Sequence, residues 1–309
     1  MQAQMFDDMV DGASWLAIAI GALAVAVGIL PAIFLRERFS HPKLTEEQLA
    51  EKQRKKSMWE SVKKNLGDFF AGFVMTLKVG PFLKLCAATF LVFNGFMLIS
   101  SFQFYVIIYY VFGGETVHGA EYAGWSGTIG AVSTFIVIGI VTWMSTRFGK
   151  RKAFFIAIGV SIVGYGMKWF CYNPEIPWLL LVPAPLMAFG LGGLFTLMGS
   201  MIADVCDYDE LKTYERREGM FGSVYWWVVK LGMAAALGIG GVLLNMTGFD
   251  VALDGNQTEN TLLMMRLFDV LIPIMASAVA IWLIAAYPIT EERALEVRKA
   301  LEARRGVVS

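Results

Sequence analysis

The sequence has 309 residues, of which 57% are hydrophobic and only 17% are charged, and its formal net charge is zero. Soluble globular chains are nearer a quarter charged, so this composition excludes an ordinary soluble domain. A balanced charge gives no indication of a nucleic-acid partner. The sequence also lacks a nucleophile, metal-ligand or dinucleotide pattern, so it predicts no enzyme, no catalytic residue and no metal site.

Long apolar segments predict an all-α, polytopic bundle of about seven transmembrane helices, because each is long enough to cross a hydrocarbon core of about 30 Å. The segments are 14–35, 82–112, 123–144, 153–172, 178–203, 219–246 and 261–287. They divide the chain into an N-terminus with a first helix (1–35), a central loop (36–81), a six-helix bundle (82–288) and a charged helical tail (289–309).

The basic residues are distributed unevenly among the connections between these segments. Lysines and arginines follow the first, third, fifth and seventh segments, whereas the connections at 113–122, 173–177 and 247–260 contain none. Basic connections stay in the cytoplasm. The charge pattern therefore predicts an N-terminus outside and a C-terminus in the cytoplasm.

The central loop has a pattern of its own. Two capping-box patterns begin at Thr45 and Ser57, and apolar residues recur at helical spacing from Trp59 to Leu77. This pattern predicts an amphipathic helix that lies on the membrane surface or under the bundle. An ordinary linker helix explains the same spacing equally well.

One lysine, Lys230, interrupts the apolar segment 219–246. It lies about 16 Å along that helix, near the middle of the bilayer, if the rise is about 1.5 Å per residue. A central lysine costs about 2.5–3.5 kcal/mol on insertion scales. Lys230 is therefore expected to have a partner or a water-filled cavity, and a structural ion pair is the alternative.

Aromatic and polar residues at a similar depth accompany this lysine. Trp226 lies one turn before Lys230, and Asn94 lies about 18 Å along the segment that begins at residue 82. Aromatic faces can hold a cation or stack against a sugar ring. Each residue alone fits ordinary packing, but together they predict a central polar cavity.

Three further charges fall in the apolar segments. Arg266 and Asp269 are three residues apart, so they are expected to form a structural pair on one helix face. Lys168 lies near the outer end of its helix and is expected to extend its ammonium to the membrane surface.

The stretch Ala203–Glu210, ADVCDYDE, precedes Lys212, Arg216, Arg217, Glu218 and Lys230 in an arrangement that resembles the glycoside–pentoside–hexuronide:cation symporter family of the major facilitator superfamily. In that family the stretch is the inner end of helix ten, the next cytoplasmic loop and helix eleven. The resemblance implies that Lys230 binds sugar and senses the cation. It also implies that Phe195 is the helix-ten aromatic residue and Asn94 the helix-seven asparagine.

A second stretch, STRFGKRK at 145–152, resembles the basic loop between paired helices of the superfamily. Thr146 stands where that signature usually has an aspartate, so the charge clamp built on the aspartate is not implied here. Arg147 in this loop is placed with the cytoplasmic gate.

Members of the family have twelve spans with both termini inside, so this chain resembles helix six onward. The aspartates that bind the coupling cation, sodium or a proton, lie on the first helices of the family and have no counterpart here. The resemblance thus implies that the cation site lies mostly outside this chain, on an N-terminal half of the carrier that is absent.

We therefore expect the C-terminal portion of a cation-coupled sugar or glycoside symporter, embedded in a lipid bilayer and placed in a bacterial inner membrane. Lys230 would hold sugar hydroxyls or a glycosidic carboxylate, and Asn94 would form a hydrogen bond with the sugar. The sugar would be walled by Trp226, Tyr225 and Phe195. The cytoplasmic gate would be formed by Asp204, Asp207, Asp209, Arg216, Arg217 and Arg147.

Two other interpretations stay open. The chain could be a non-transporting scaffold or regulatory half-carrier, or a truncated gene product. A membrane enzyme is a third class, and the sequence offers no motif for it. An N-terminal half encoded upstream would separate a carrier from a scaffold.

Overall fold

The computed structural model describes residues 9–34, 67, 70 and 72–305 of the chain. Helix α1, Met9–Phe34, belongs to a separate compact unit and is described by itself. Among the residues that the structure describes from 80 to 305, the second unit has the helices α2 (Gly80–Tyr105), α3 (Thr116–Phe148), α4 (Lys150–Cys171), α5 (Pro183–Thr213), α6 (Glu218–Met246), α7 (Glu259–Ala285) and α8 (Glu291–Arg305). A π-helical turn, Val106–Val111, extends α2, and short 3₁₀ turns occupy Pro177–Leu181 and Val251–Leu253.

The all-α prediction is confirmed, because the described residues contain helices and turns but no strand. In the described part of the chain, six helices are long and apolar enough to cross a membrane, from α2 to α7, and α1 contains a shorter apolar stretch, Ala17–Ile29. The amphipathic helix predicted in the central loop falls largely on residues 35–71, which are mostly outside the described part. Residues 72–77 at its end are helical.

Local sequence explains several helix ends. Pro81 and Pro183 lie in the first turns of α2 and α5, where a missing N–H costs nothing. Gly149 ends α3 with a φ of +86°, a conformation that other residues rarely adopt. At the start of α7, the Thr258 hydroxyl accepts a hydrogen bond of 3.2 Å from the backbone N–H of Thr261.

The core lies where α2 packs against α6 and α7, and where α5 packs against α3 and α4. Phe82 of α2 meets Phe221 of α6 edge to face, with ring centroids 4.9 Å apart. A Cβ at Gly193 of α5 would lie 2.7 Å from the Cβ of Ala157, so α4 and α5 approach closely only because a glycine stands there. Small residues commonly permit such contacts between membrane helices.

Both predictions about the outlying charges are wrong. Lys168 is 1% exposed, and its Nζ lies 2.5 Å from Oδ2 of Asp269, which is 2% exposed. Arg266 instead donates a hydrogen bond of 2.7 Å to the carbonyl of Trp169. Its guanidinium lies 4.0 Å from the ring centre of Tyr110 and 4.3 Å from that of Trp169. The three-residue spacing of Arg266 and Asp269 shows only that they are neighbours on α7. The rotation of α7 turns Asp269 toward Lys168 on α4, and this rotation cannot be read from the spacing.

Basic residues are concentrated at one end of this unit, which we call the basic end. They lie in the α3–α4 turn, in the α5–α6 connection and in α8. Helix α8 buries Val297 and Leu301, each 2% exposed. Arg304 near its last turn donates a hydrogen bond of 3.1 Å to the carboxylate of Glu210 on α5. The tail predicted as a short charged helix is thus docked on the end of α5.

Candidate functional site

Helix α6 has a buried face and an exposed face. The buried residues Phe221, Tyr225, Val229 and Gly232 pack on the side of α2. Trp226, Lys230 and Leu237 are exposed and lie four and seven residues apart, so they share the other face. The lysine singled out from the sequence therefore lies on the exposed face.

Lys230 lies twelve residues from the start of a helix of 29 residues, or about 18 Å along an element of about 43 Å. Its depth is thus near the middle of the span. Within residues 72–305, no carboxylate lies close enough to form an ion pair with it. The described part of the chain supplies no charged partner for this ammonium.

Three aromatic residues predicted from the sequence lie together about one helical turn before Lys230, which does not itself line their cavity. Phe195 of α5 stacks on Trp226 of α6, with ring centroids 6.2 Å apart and planes 16° apart. Tyr225 contacts Trp226 edge to face at 5.8 Å. All three line a cavity of about 270 Å³, which also contacts Cys206 and Glu218 and which we call the aromatic cavity.

A further aromatic residue, Phe93 of α2, packs edge to face against Phe195 at 5.8 Å and supports that ring, although no sequence pattern pointed to it. Phe93 is 5% exposed, and it lies within an apolar run where no pattern separated it from other core residues. Only the rotation of α2 identifies it as a support of the aromatic cavity.

Asn94 lies between α2 and α6 and does not line the aromatic cavity. It is 7% exposed, and its Nδ2 donates a hydrogen bond of 2.7 Å to the carbonyl of Phe90. Its Oδ1 is buried without a hydrogen-bond partner in the described part of the chain. A Cβ at Gly232 would lie 2.7 Å from Nδ2 of Asn94. Because Gly232 is only two residues after Lys230 on α6, Asn94 lies at nearly the same depth in the membrane as Lys230.

At the basic end, four of the predicted gate residues form ion pairs between α5, α6 and their connection. Arg217 donates to both carboxylate oxygens of Asp209, at 2.7 and 2.8 Å. Arg216 lies 3.0 Å from Glu218, 3.2 Å from Glu210 and 3.8 Å from Asp207. The hydrogen bond to Glu218 is the main reason that the pKa of Arg216 lies above its usual value.

The other two gate residues behave differently. Asp204 accepts a hydrogen bond of 2.6 Å from Lys150, the first residue of α4, so this pair joins α4 to α5. Arg147 is exposed and makes no ion pair within residues 72–305. Lys150 and Arg304 also belong to this charged network. The sequence did not predict their roles, because their partners lie far away along the chain.

A second cavity, of about 390 Å³, lies between α2, α3 and α5, and we call it the apolar cavity. Its lining is Phe96, Ser100, Gln103, Phe104, Ala123, Ser126, Gly127, Gly130, Ala131, Thr134, Ala184, Met187, Ala188 and Leu191. No group of three or more metal-ligating side chains occurs among the residues that the structure describes.

Comparisons with known proteins agree with this architecture. The family model described as MFS/sugar transport protein matches residues 9–291. The sodium-dependent lysophosphatidylcholine symporter 1 of Homo sapiens is 27% identical over 255 residues, which are 78% of this chain and 43% of that protein. A glucuronide carrier protein homolog of Escherichia coli is 26% identical over 176 residues, 57% of this chain and 38% of that protein.

An uncharacterized symporter of Synechocystis is 28% identical over 185 residues, 58% of this chain and 34% of that protein. The chain therefore spans about half or less of the length of the curated relatives it matches.

Proposed function

The chain belongs to the MFS/sugar transport protein family, and we propose that it is the C-terminal portion of a cation-coupled symporter for a sugar or glycoside. As a member of that family it is an integral membrane protein of a transporter class. The proposal depends most on one observation, the exposed Lys230 near mid-span, one helical turn along α6 from the Phe195–Trp226 stack.

The position of Lys230 supports a binding role more than a packing role. A packing lysine would be buried against a carboxylate, as Lys168 is against Asp269. Lys230 is exposed at a depth where lipid contact would cost several kcal/mol. A water-filled cavity formed with an N-terminal half removes that cost, so the exposed face of α6 is proposed to border such a cavity.

The neighbours of Lys230 favour a substrate with a ring and a polar or anionic group. Stacked aromatic faces complement the apolar face of a sugar ring, and an ammonium binds hydroxyl or carboxylate oxygens. One relative is named a glucuronide carrier homolog, which is consistent with a carboxylate on the substrate. Asn94 is proposed to offer its free Oδ1 from behind Gly232 when α2 and α6 shift.

A second candidate substrate is an amphiphile with a phosphate-bearing head and an apolar chain. Several relatives are named lysophosphatidylcholine symporters, and another is named a sphingosine-1-phosphate transporter. The apolar cavity between α2, α3 and α5 is a specific observation that favours this candidate. The same ammonium would then bind the phosphate.

Coupling is proposed to use sodium or a proton. Several relatives are named sodium-dependent symporters. The carboxylates that would bind the cation are proposed to lie on an N-terminal half, because Lys230 has no acidic partner within residues 72–305. Transport would proceed by alternating access, with the ion pairs of the basic end made in one state and broken in the other.

Substrate binding by variants of Lys230 tests this proposal. The chain is reconstituted with an N-terminal half, and binding of a short glycoside and a glucuronide is measured with the wild type, Lys230→Arg and Lys230→Met. We expect Lys230→Arg to retain part of the affinity and Lys230→Met to lose it. Lys299→Met, an exposed lysine on α8, is the matched control and is expected to bind normally.

Unchanged binding by Lys230→Met would argue against the site. A complete lack of binding by the wild type with its N-terminal half would favour the alternative of a non-transporting scaffold or regulatory half-carrier.

A further inference from the structure

We propose that the apolar cavity between α2, α3 and α5 holds the apolar part of an amphipathic glycoside, while the sugar lies against Lys230, Trp226 and Phe195. This inference deepens the proposed function and rests on it. It narrows the substrate class from sugars in general to glycosides that carry an alkyl or aryl group.

Each polar side chain of the apolar cavity takes part in at least one hydrogen bond within the protein. Ser100 donates to the carbonyl of Phe96 at 3.1 Å, and Thr134 donates to the carbonyl of Gly130 at 2.9 Å. The amide of Gln103 donates to the hydroxyl of Ser126 at 3.1 Å. A sugar that entered this cavity would lose hydrogen bonds to water and would regain few from the protein. An apolar group makes no such hydrogen bonds, so it would lose none.

The rest of the lining is apolar, and the volume suits a ligand. Phenylalanine, alanine, methionine and leucine side chains supply most of the wall. The volume of about 390 Å³ falls within the range of roughly 300–1,000 Å³ that small-molecule sites occupy. The cavity thus matches an alkyl or aryl group in both chemistry and size.

The apolar cavity continues the aromatic cavity along one face of α5. Ala184, Ala188 and Leu191 line the apolar cavity, and Phe195 and Ile202 line the aromatic cavity. Their spacing of three, four or seven residues places them on one helix face. A ligand can therefore follow this face from one cavity to the other past Phe195.

Lys230 lies near the height at which the two cavities meet. Trp226 is level with Phe195 because the two rings stack, and α5 and α6 run in opposite directions. Lys230 lies four residues after Trp226 on α6, and Leu191 lies four residues before Phe195 on α5. Each step is about 6 Å along its helix axis, and both lead in the same direction because the helices are antiparallel. The ammonium is therefore level with the end of the apolar cavity, where a head group would be joined to its chain.

Helix α3 leaves room in this cavity rather than filling it. Gly127 and Gly130 line the cavity, and a Cβ at either position would have no other group within 4 Å. Larger side chains can thus be introduced there without displacing the backbone. Gly139, further along α3, has the same open surroundings but does not line the cavity, so it provides a matched control.

The test uses the complete carrier, in which this chain is joined to its N-terminal half, in lipid nanodiscs. The ligands are methyl glucoside and alkyl glucosides of four, six and eight carbons, and an octyl glucoside with a terminal diazirine for photo-crosslinking. Binding is measured for the wild type, Gly127→Leu, Gly130→Leu and Gly139→Leu, and the cross-linked peptides are identified by mass spectrometry.

We expect the affinity of the wild type and of Gly139→Leu to rise by up to about fourfold for each added methylene until the cavity is full. The diazirine should label α3 and α5 at the apolar cavity, and an excess of methyl glucoside should prevent that labelling. In Gly127→Leu and Gly130→Leu the dependence on chain length and the labelling should be lost, while methyl glucoside still binds.

Four results would overturn the inference. Equal chain-length dependence in all four proteins would mean that the chain partitions into lipid. If Gly130→Leu prevented the two halves from associating, the cavity would be part of their interface. If methyl glucoside bound normally but no alkyl chain increased the affinity, the inference would fail while the proposed function stood. If no glycoside bound at all, both the inference and the proposed function would fail.

Discussion

The ammonium of Lys168 lies 2.5 Å from the carboxylate of Asp269, and both side chains are almost completely removed from solvent. This pair joins α4 to α7, which pack against each other along their length. It is the buried counterpart of the exposed Lys230. Lys168 has a carboxylate partner in the same helix bundle. Lys230 has none among the described residues.

Replacing Lys168 by methionine should destabilise the chain by about 3–5 kcal/mol, because Asp269 would be left as an unpaired buried charge. The double variant Lys168→Met, Asp269→Leu should recover most of that loss. Thermal unfolding of the purified proteins in detergent measures both effects. Lys299→Met is the exposed control, and equal melting temperatures for Lys168→Met and Lys299→Met would show that the pair contributes nothing.

The sequence was sufficient to predict the helices but not their rotation. The apolar segment 219–246 corresponds to α6, Glu218–Met246, and the segment 82–112 corresponds to the span Gly80–Val111. Hydropathy and length identify such segments because they reflect the thickness of the bilayer.

Side-chain partners were less predictable, because they depend on how helices distant in sequence face each other. Asp269 was assigned to Arg266 by spacing, but the rotation of α7 turns it to Lys168. Lys230, Trp226 and Tyr225 were predictable because one helix contains them. Phe195 stacks on Trp226 from the neighbouring helix, and its correspondence to the helix-ten aromatic residue of the family stays a prediction.

The contact between Asn94 and Gly232 predicts a steric effect on the packing of α2 against α6. Gly232→Ala would place a Cβ 2.7 Å from Nδ2 of Asn94, so it should destabilise the chain by about 1–3 kcal/mol through overpacking. Gly238→Ala on the same helix meets nothing within 4 Å and should be neutral or slightly stabilising. Melting temperatures compare the two variants.

Replacing Asn94 by alanine in the Gly232→Ala background should relieve the clash. If Gly232→Ala were as stable as Gly238→Ala, the close approach of α2 to α6 would be contradicted.

The bidentate pair of Arg217 with Asp209 predicts a role in the balance between access states. Arg217→Gln removes the pair, so transport rate should change more than substrate affinity, because the pair lies at the end of the bundle and not at Lys230. Initial rates of uptake and equilibrium binding are measured on the same carrier preparation. Lys299→Gln on α8 is the control, since Lys299 is exposed, makes no ion pair in the described part of the chain and is not a predicted gate residue, so both quantities should stay unchanged.

A parallel loss of binding and transport in Arg217→Gln would indicate misfolding or a binding role. Arg217→Lys, which keeps the charge but not the bidentate geometry, should lie between the wild type and Arg217→Gln.

The unequal distribution of basic residues predicts which connections face outward. Single cysteines at Thr116 and Asn256, in connections without lysine or arginine, should react with an impermeant thiol reagent in intact cells. A cysteine at Thr213, at the basic end, should react only after the cells are opened. All three positions are exposed, so access and not burial decides the outcome. Protection of Thr116→Cys and Asn256→Cys in intact cells would reverse the orientation.

The most direct test of the central claim is gradient-driven uptake in proteoliposomes. The chain alone and the chain together with its N-terminal half are each supplied with a labelled glycoside, in the presence and absence of a sodium or proton gradient. Uptake should require both the N-terminal half and a gradient, and Lys230→Met should abolish it while the protein still inserts. Gradient-driven uptake by the chain alone, or normal uptake by Lys230→Met, would contradict the claim that this chain is the C-terminal part of a symporter built around Lys230.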